Sequence, residues 1–204
     1  MSPVLLLLLA VLGHAYTVPI KPKDGIYIVT RDTAGNDVHT EISGPKQCVD
    51  ASPSHHYNYS APYPRAVLRR EDGDKRVRTT WCGCKHHLDK KDFHAAGKNL
   101  YQQVKQHPQL KTPSLYSISG SVVAFICKKD PKKGPPSIQL ADIGYMATMV
   151  QNACGPFVAG TFLKTYGIED PPILVGYMQA NKGLDFCKEA MGSDEETCKK
   201  GGTR

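Results

Sequence analysis

The spacing of apolar residues divides the chain into strands and helices, and the clearest signals lie between residues 79 and 180. The apolar run Val122–Cys127 is rich in β-branched side chains and predicts a central strand. Two further sets recur at helical spacing, each predicting one buried helix face: Phe93, Ala96, Leu100 and Val104 in a first helix, and Ile143, Met146, Val150 and Ala153 in a second.

Residues typical of helix starts and helix stops lie at the ends of both predicted helices. Asp89 is placed to cap the first helix, and Pro108 stops it. Asp142 lies near the start of the second helix, which ends at Cys154 with Gly155 as its carboxyl-terminal stop. Further strands are predicted at Thr79–Cys84, Phe157–Phe162 and Ile173–Met178.

The order of these elements predicts the fold class. The last two strands are separated by Pro171-Pro172 and should form an antiparallel pair with a longer loop. One mainly antiparallel sheet with both helices on a face follows from the order strand, helix, strand, helix, strand, strand. We therefore expect an α+β protein, an α/β sandwich stabilised by disulfides.

The first part of the chain is organised differently. Gly25–Thr30 and Val38–Ile42 flank a polar turn and predict a small hairpin. Residues 52–64 are too broken by proline for a regular element and predict an exposed linker. We accordingly divide the chain into residues 16–76, an amino-terminal extension, and residues 77–204, a cysteine-rich α/β domain.

Residues 1–15 have the pattern of a secretory signal peptide. Leucines fill Leu5–Leu9, and the segment closes on Gly13-His14-Ala15, with small residues where a signal peptidase cuts. The apolar run is shorter than the roughly 20 residues that cross a bilayer as a helix. The sequence therefore predicts a soluble protein that is secreted to the extracellular space and is not membrane-spanning.

Export predicts that the cysteines form disulfides, because thiols oxidise in the secretory pathway. Seven cysteines are present, so one is left over: Cys48, Cys82, Cys84, Cys127, Cys154, Cys187 and Cys198. A Cys82–Cys84 bridge would be strained, because side chains two residues apart in a strand point to the same face. Cys127 and Cys154 end core elements and are the predicted partners of this doublet.

The remaining cysteines complete the predicted framework. Cys187 and Cys198 flank a polar segment and should close it on themselves, which leaves Cys48 unpaired. The pairs ending at Arg70 and Arg76 are candidate sites for a processing protease, although a solvated charge run is the simpler interpretation. Cutting after Arg76 would remove Cys48 as part of a propeptide and leave an even number of cysteines. Asn58-Tyr59-Ser60 is an acceptor for an N-linked glycan.

Charge suggests the class of partner. The 26 Lys and Arg residues exceed the 19 acidic ones, and the formal charge is +7. One basic patch is predicted if the first helix and the loop after the central strand lie on the same side: Lys90, Lys91, Lys98, Lys105, Lys128, Lys129, Lys132 and Lys133. The partners expected are an extracellular host or competitor protein or an anionic cell-surface component, and nucleic acid is not favoured.

Catalytic and metal chemistry find little support. Cys82-Gly83-Cys84 followed by His86-His87 carries zinc-ligand types, but one intervening residue is too few for a zinc knuckle. Two of the histidines could serve as acid and base in a small secreted hydrolase or ribonuclease, which is the alternative hypothesis. No motif of a known catalytic elbow accompanies them. We predict no catalytic residues, no cofactor and no metal.

Several segments together resemble a known family. They are Trp81–Cys84, Gly120–Cys127, the helix end at Cys154-Gly155, Phe157–Phe162 and Val175–Met178. In this order they are similar to fungal cysteine-rich secreted proteins and, more distantly, to necrosis-inducing effectors and smut-fungus killer toxins. The resemblance covers about residues 79–180. It implies a disulfide-bonded α/β sandwich that acts as a virulence factor or toxin-like effector outside the cell, without catalytic residues.

Overall fold

The structure of the protein is a computed structural model. The described residues are 18, 23–43, 80–106, 108–129, 138, 140–164, 172–181 and 183–190. Within them the elements are β1 (Gly25–Arg31), β2 (Asp37–Ser43), β3 (Thr80–His87), α1 (Lys90–Gln106), β4 (Ser114–Ser119), β5 (Val122–Lys128), α2 (Leu140–Cys154), β6 (Val158–Lys164), β7 (Ile173–Gln179) and α3 (Phe186–Glu189).

The strands form a single antiparallel sheet in the order β2-β1-β4-β5-β7-β6-β3. β5 is the middle strand, and all of its residues are buried, because its apolar side chains meet cover on both faces. The predicted central strand is confirmed, and the fold is α+β with disulfides, as the sequence indicated.

The hairpin belongs to the same sheet as the later strands. β1 and β2 form it as expected, but β1 also pairs with β4, from Gly25 opposite Ile118 to Val29 opposite Ser114. Ile26, Tyr27 and Val29 are buried. The hairpin therefore extends the sheet formed by the later strands and contributes to its core.

Both long helices pack on one side of the sheet, which we call the helix face. In α1, Asp89 caps the start by accepting a hydrogen bond from the backbone N–H of Asp92 at 2.9 Å, and the four predicted apolar residues are buried.

In α2, Ile143, Ala147 and Val150 are buried, whereas Ala153 is exposed. The α2 stripe therefore differs from the predicted one, because Cys154 turns toward the sheet to form a disulfide. The side chain of Met146 lies outside the described residues.

The opposite side of the sheet, which we call the terminal face, is covered by Val18 and residues 183–190. The Val18 backbone N–H donates to the Leu184 carbonyl at 2.8 Å, and the Gly183 N–H donates to the Val18 carbonyl at 3.3 Å. Phe186 is fully buried in α3 and packs on the rings of Tyr116 and Phe125. The sequence predicted cover on one face only, and the structure has cover on both.

Candidate functional site

Two disulfides fix the positions of the candidate site elements. Cys82 in β3 bonds Cys154 at the end of α2, with Cα atoms 5.3 Å apart. Cys127 at the end of β5 bonds Cys187 in α3, with Cα atoms 5.8 Å apart. The first bond ties the helix face to an edge strand, and the second ties the terminal cover to the middle strand.

The predicted framework is partly wrong. Cys82–Cys154 is one of the expected pairings, but Cys127 does not pair with the doublet and Cys187 does not pair with Cys198. Three strand spacings of about 4.8 Å separate β5 from β3, which exceeds the reach of a disulfide. Cys127 also faces the terminal side of the sheet, where only α3 brings it a partner.

Several predictions fall outside the described residues. These are the signal peptide at residues 1–15, Cys48, Cys198, the side chain of Cys84, the glycan acceptor Asn58, the processing candidates Arg70 and Arg76, and Lys132 and Lys133. Within the described ranges, no group of three His, Cys, Asp or Glu side chains is arranged to hold a metal ion. Cys82 is in addition bonded to Cys154 and is not a thiolate.

The predicted basic patch is divided between the two ends of the sheet. Lys90 and Lys91 begin α1 beside the β4–β5 turn, where Asp92 accepts the Ser121 backbone N–H at 2.7 Å. Lys128 and Lys129 lie at the other end of β5, about 20 Å away along the strand. Lys105 ends α1 far from Lys90 and Lys91, and Lys98 lies between them. Burial lowers the pKa of the Lys128 amine.

The histidines are divided in a similar way. His39 lies on β2, whereas His86 and His87 lie on β3, the opposite edge strand of the described sheet, about 29 Å away. His39 Nδ1 lies 2.9 Å from the Tyr116 hydroxyl. Burial lowers the pKa of His39, partly offset by the nearby charge of Asp37. His39 therefore links the hairpin to the sheet and shares no site with His86 or His87.

A backbone outlier marks the corner where β3, α1 and β6 meet. Phe157 has a φ of 56°, a left-handed conformation that is strained for an aromatic residue. The Val158 N–H donates to the Gly155 carbonyl at 3.4 Å and closes a turn with Pro156 and Phe157 in its middle positions. A type II turn has the same positive φ at its third position, where glycine or asparagine is usual.

Aromatic and cationic side chains surround the partly exposed Phe157 ring. The rings of Phe93 and His94 each lie 5.5 Å from it, edge to face. The Lys90 amine lies over the ring, 5.7 Å from its centroid, in cation–π geometry. Burial, and then the charge of Lys90, lowers the pKa of His94.

The end of β3 brings two more histidines to this corner. His87 pairs with Val158, the residue after Phe157, and the Leu88 N–H donates to the Phe157 carbonyl at 2.7 Å. The side chains of His86 and His87 are exposed. We define the Phe157 surface as Lys90, His94 and Phe157, whose side chains contact one another beside the end of β3.

The Phe157 surface offers a flat apolar ring bordered by groups that carry or can acquire positive charge. Such a combination suits binding of a partner with an anionic and an apolar part. Sequence reasoning assigned Phe157 to a strand and missed it. The signal that could have found it is Gly155-Pro156, because proline is favoured at the second position of a β-turn and so indicates a turn before the strand begins.

Comparisons with family models, with curated proteins and with solved structures gave no match. The resemblance to fungal secreted effectors therefore remains a prediction from the sequence. Among the described residues, no helix has the length and apolar character needed to cross a membrane.

Proposed function

We propose that this chain is a secreted, non-enzymatic effector or toxin-like protein that binds a component of a host or a competitor outside the cell. The observation that carries the proposal is Phe157, a partly exposed aromatic residue held in a strained backbone conformation under the Lys90 amine. Aromatic side chains in such settings supply much of the binding energy at protein interfaces.

The strain at Phe157 favours a role in binding over a role in folding. A left-handed non-glycine residue costs about 1–3 kcal/mol, and such strain concentrates at ligand-contacting positions. Glycine would satisfy the turn without this cost. The chain nevertheless places a large ring there and supports it with Phe93, His94 and Lys90.

Other features support a site of action outside the cell. Two disulfides join separate elements of the described fold, and disulfides persist in oxidising compartments. The amino-terminal sequence pattern predicts export, and the charge of +7 favours contact with anionic surfaces. The resemblance to fungal secreted effectors agrees with these features.

The first experiment tests capture of an extracellular partner. Purified protein is used to pull down proteins from extracellular fluid of a plant host and from culture filtrate of a competing fungus, in parallel with Phe157→Gly. Because Phe157→Gly removes the ring while keeping the positive φ, we expect a folded variant that loses the partner captured by the natural protein. The matched control is Val38→Ser, which alters an exposed apolar residue, 41% accessible, on the opposite edge strand.

The result that would contradict the proposal is retention of the same partner by Phe157→Gly and its loss from Val38→Ser. Circular dichroism spectra of both variants establish that they are folded. Secretion is checked separately by sequencing the amino terminus of protein recovered from culture medium, where an intact Met1 would argue against export.

A hydrolase or ribonuclease is the second candidate, favoured by the place of His86 and His87 at the end of β3, next to the turn that carries Phe157. Replacing His86 and His87 together by glutamine would abolish hydrolysis of RNA if these histidines act as acid and base, and would leave the fold intact. A binding protein would show no hydrolysis before or after the change.

A further inference from the structure

The strand β2 lies at one end of the described sheet and has a regular outer edge. It pairs with β1 in unbroken register from Asp37 to Glu41. The ladder of β3, the strand at the other end of the described sheet, has a register shift between Cys82 and His87. Such irregularities protect an edge from pairing, as do proline and lysine, and β2 contains neither of these two residues. Of the two end strands, β2 therefore has the edge better suited to pair with another strand.

The hydrogen bonds of the hairpin show which backbone groups of β2 face this edge. The Asp32 N–H donates to the Asn36 carbonyl at 2.9 Å, and bonded and non-bonded residue pairs alternate along an antiparallel ladder. By this alternation Thr40 directs its N–H and C=O groups toward β1, whereas His39 and Glu41 direct theirs outward. The outward groups are a donor and an acceptor on each of two residues, which is the pattern that a further antiparallel strand requires.

The side chains of β2 add apolar surface beside these backbone groups. Val38 and Ile42 are large apolar residues that are 41% and 38% exposed. Thr40 pairs with Ile28, which packs against the core of the helix face, so Thr40 and Val38 lie on that side of the sheet. The helix α1 packs over β4, β5 and β1, and β2 lies beyond it. The helix-face side of β2 is therefore apolar and lies outside the cover that α1 provides.

Charge restricts how β2 can pair with a second copy of itself. The antiparallel registers that keep most of β2 paired and bring its outward groups together are centred on His39, Thr40 or Glu41. The first places Asp37 of each copy opposite Glu41 of the other, and the third places the two Glu41 side chains opposite each other. Like charges in opposite positions destabilise a pair of strands. Only the register centred on Thr40 avoids both of these repulsions.

The register centred on Thr40 also matches the other side chains. Thr40 is the midpoint of the seven residues of β2, so this register pairs the whole strand. It places Val38 of each copy opposite Ile42 of the other, and His39 opposite Glu41. The two exposed apolar side chains of one copy therefore cover those of the other, and cross-strand pairs of this kind stabilise a sheet.

We propose that the chain forms a two-fold symmetric dimer in which the β2 strands of two copies pair antiparallel about Thr40 and join the two sheets into one. A two-fold interface uses the same surface on both copies, which is what the self-complementary pattern of β2 provides. The Phe157 surface lies beside the end of β3, across the described sheet from β2 by about 29 Å. The dimer therefore does not depend on the proposed function.

Cysteine cross-linking tests the register. In the dimer Thr40 lies opposite Thr40 of the second copy, with about 4.5 Å between the Cα atoms of such a pair, a distance that a disulfide can span. The matched control is Val38→Cys, whose two copies would lie about 13 Å apart along the strands. We expect mild oxidation of Thr40→Cys to give a covalent dimer on a non-reducing gel, and Val38→Cys to give roughly tenfold less. The natural chain, treated in the same way, gives the background from its own cysteines.

Sedimentation equilibrium of the natural chain measures the association without a cross-link. A small interface of this kind predicts a Kd on the order of 10 µM, so the mean mass should rise toward that of two chains between about 1 µM and about 300 µM. Thr40→Lys places two cations opposite each other and should weaken the dimer more than about tenfold. Its matched control is Gln102→Lys, which adds the same charge at an exposed position of α1 and should dimerise like the natural chain, as should Phe157→Gly.

Amide hydrogen exchange follows the edge itself. The N–H groups of His39 and Glu41 should exchange more slowly as the protein concentration rises, because the second copy accepts their hydrogen bonds. The N–H group of Thr40 bonds β1 and should exchange slowly at every concentration.

Four outcomes would overturn the inference. A monomer at all these concentrations with fast exchange at His39 and Glu41 would mean that the edge stays open. A monomer with slow exchange there would mean that another segment of the same chain covers it. Cross-linking of Val38→Cys equal to that of Thr40→Cys would show a different register, and a dimer that ignores Thr40→Lys would lie on another surface. Circular dichroism spectra establish that each variant is folded.

Discussion

The two faces of the sheet are protected by different kinds of cover. The helix face lies under α1 and α2, of 17 and 15 residues, whose apolar stripes form a continuous core with the sheet. The terminal face lies under Val18 and the four-residue helix α3, which come from opposite ends of the described chain. A long helix forms most of its backbone hydrogen bonds within itself, whereas a short segment forms few internal hydrogen bonds and is not stable alone.

The terminal cover consequently depends on cross-links. Hydrogen bonds of Val18 with Leu184 and Gly183 join its two parts, and the Cys127–Cys187 bond anchors it to the middle strand. Phe186 then fills the space above Tyr116 and Phe125. This sheet is therefore closed on one side by amphipathic helices and on the other by two short segments that cross-links hold in place.

The largest effect should follow removal of residues 16–76. Residues 77–204 alone lack Val18, Ile26 and Val29, and burial of each such side chain contributes about 1.5–3 kcal/mol. Their loss removes a large part of the roughly 5–15 kcal/mol that stabilises a domain. We expect no cooperative urea unfolding for the truncated chain, as followed by circular dichroism.

The control for this truncation is a full chain cut at a protease site introduced between β2 and β3. Such a cut leaves β1 paired with β4, so the two pieces should stay associated and unfold cooperatively. A truncated chain with the unfolding midpoint of the full chain would show that the hairpin is dispensable.

The next largest effect should follow removal of either disulfide of the described fold, and the loss of stability should differ between the two. Each closes a long interval, of 72 and 60 residues, and the chain-entropy model gives about 4 kcal/mol for either. Cys127→Ala/Cys187→Ala should lose more than Cys82→Ala/Cys154→Ala, because it also releases α3 from the terminal face. Urea unfolding gives the free energies, and hydrogen exchange at residues 183–190 shows the release. A greater loss of unfolding free energy for the Cys82→Ala/Cys154→Ala variant would contradict this prediction.

A matched pair of valines probes packing under each cover. Val18 is 2% exposed in the terminal cover, and Val104 is 1% exposed in α1. Removing two buried methyl groups costs about 2 kcal/mol where the cavity cannot close. We expect Val104→Ala to reach this value in urea unfolding and Val18→Ala to cost less, because a short segment can shift to fill the space. Equal costs would mean that both covers are equally rigid.

The smallest effect concerns acid sensitivity of the terminal face. Burial lowers the pKa of His39, so between the folded and unfolded pKa values the unfolded chain binds more protons. The free energy of unfolding should therefore rise with pH through this interval and fall as the pH drops below about 6.5. Protonation of His39 also removes the Nδ1 lone pair that can accept a hydrogen bond from the Tyr116 hydroxyl.

The variant His39→Gln should reduce this pH dependence, and His94→Gln is the matched control on the helix side. His94 also has a lowered pKa and contributes with the same sign, so only the difference between the two variants identifies His39. Thermal melts between about pH 5 and pH 7.5 provide the measurement. Unchanged pH dependence in His39→Gln would contradict the assignment.

Local sequence determined the elements of this protein. The apolar spacing of α1, the β-branched run of β5 and the polar turn of the hairpin each predicted what the structure shows, because each is set by contacts between residues near in sequence. The cap at Asp89 was likewise readable, since its hydrogen bond joins residues three apart.

Only the tertiary structure decided how distant parts of the chain meet. That β1 pairs with β4, that Cys127 finds Cys187, and that Phe157 lies between His94 and Lys90 all depend on contacts across long sequence separations. Strand pairing leaves no periodic signal of its partner, and a disulfide follows the geometry of the completed sheet. The candidate site shares this origin, because its residues come from α1 and from the turn before β6, which the fold brings together beside the end of β3.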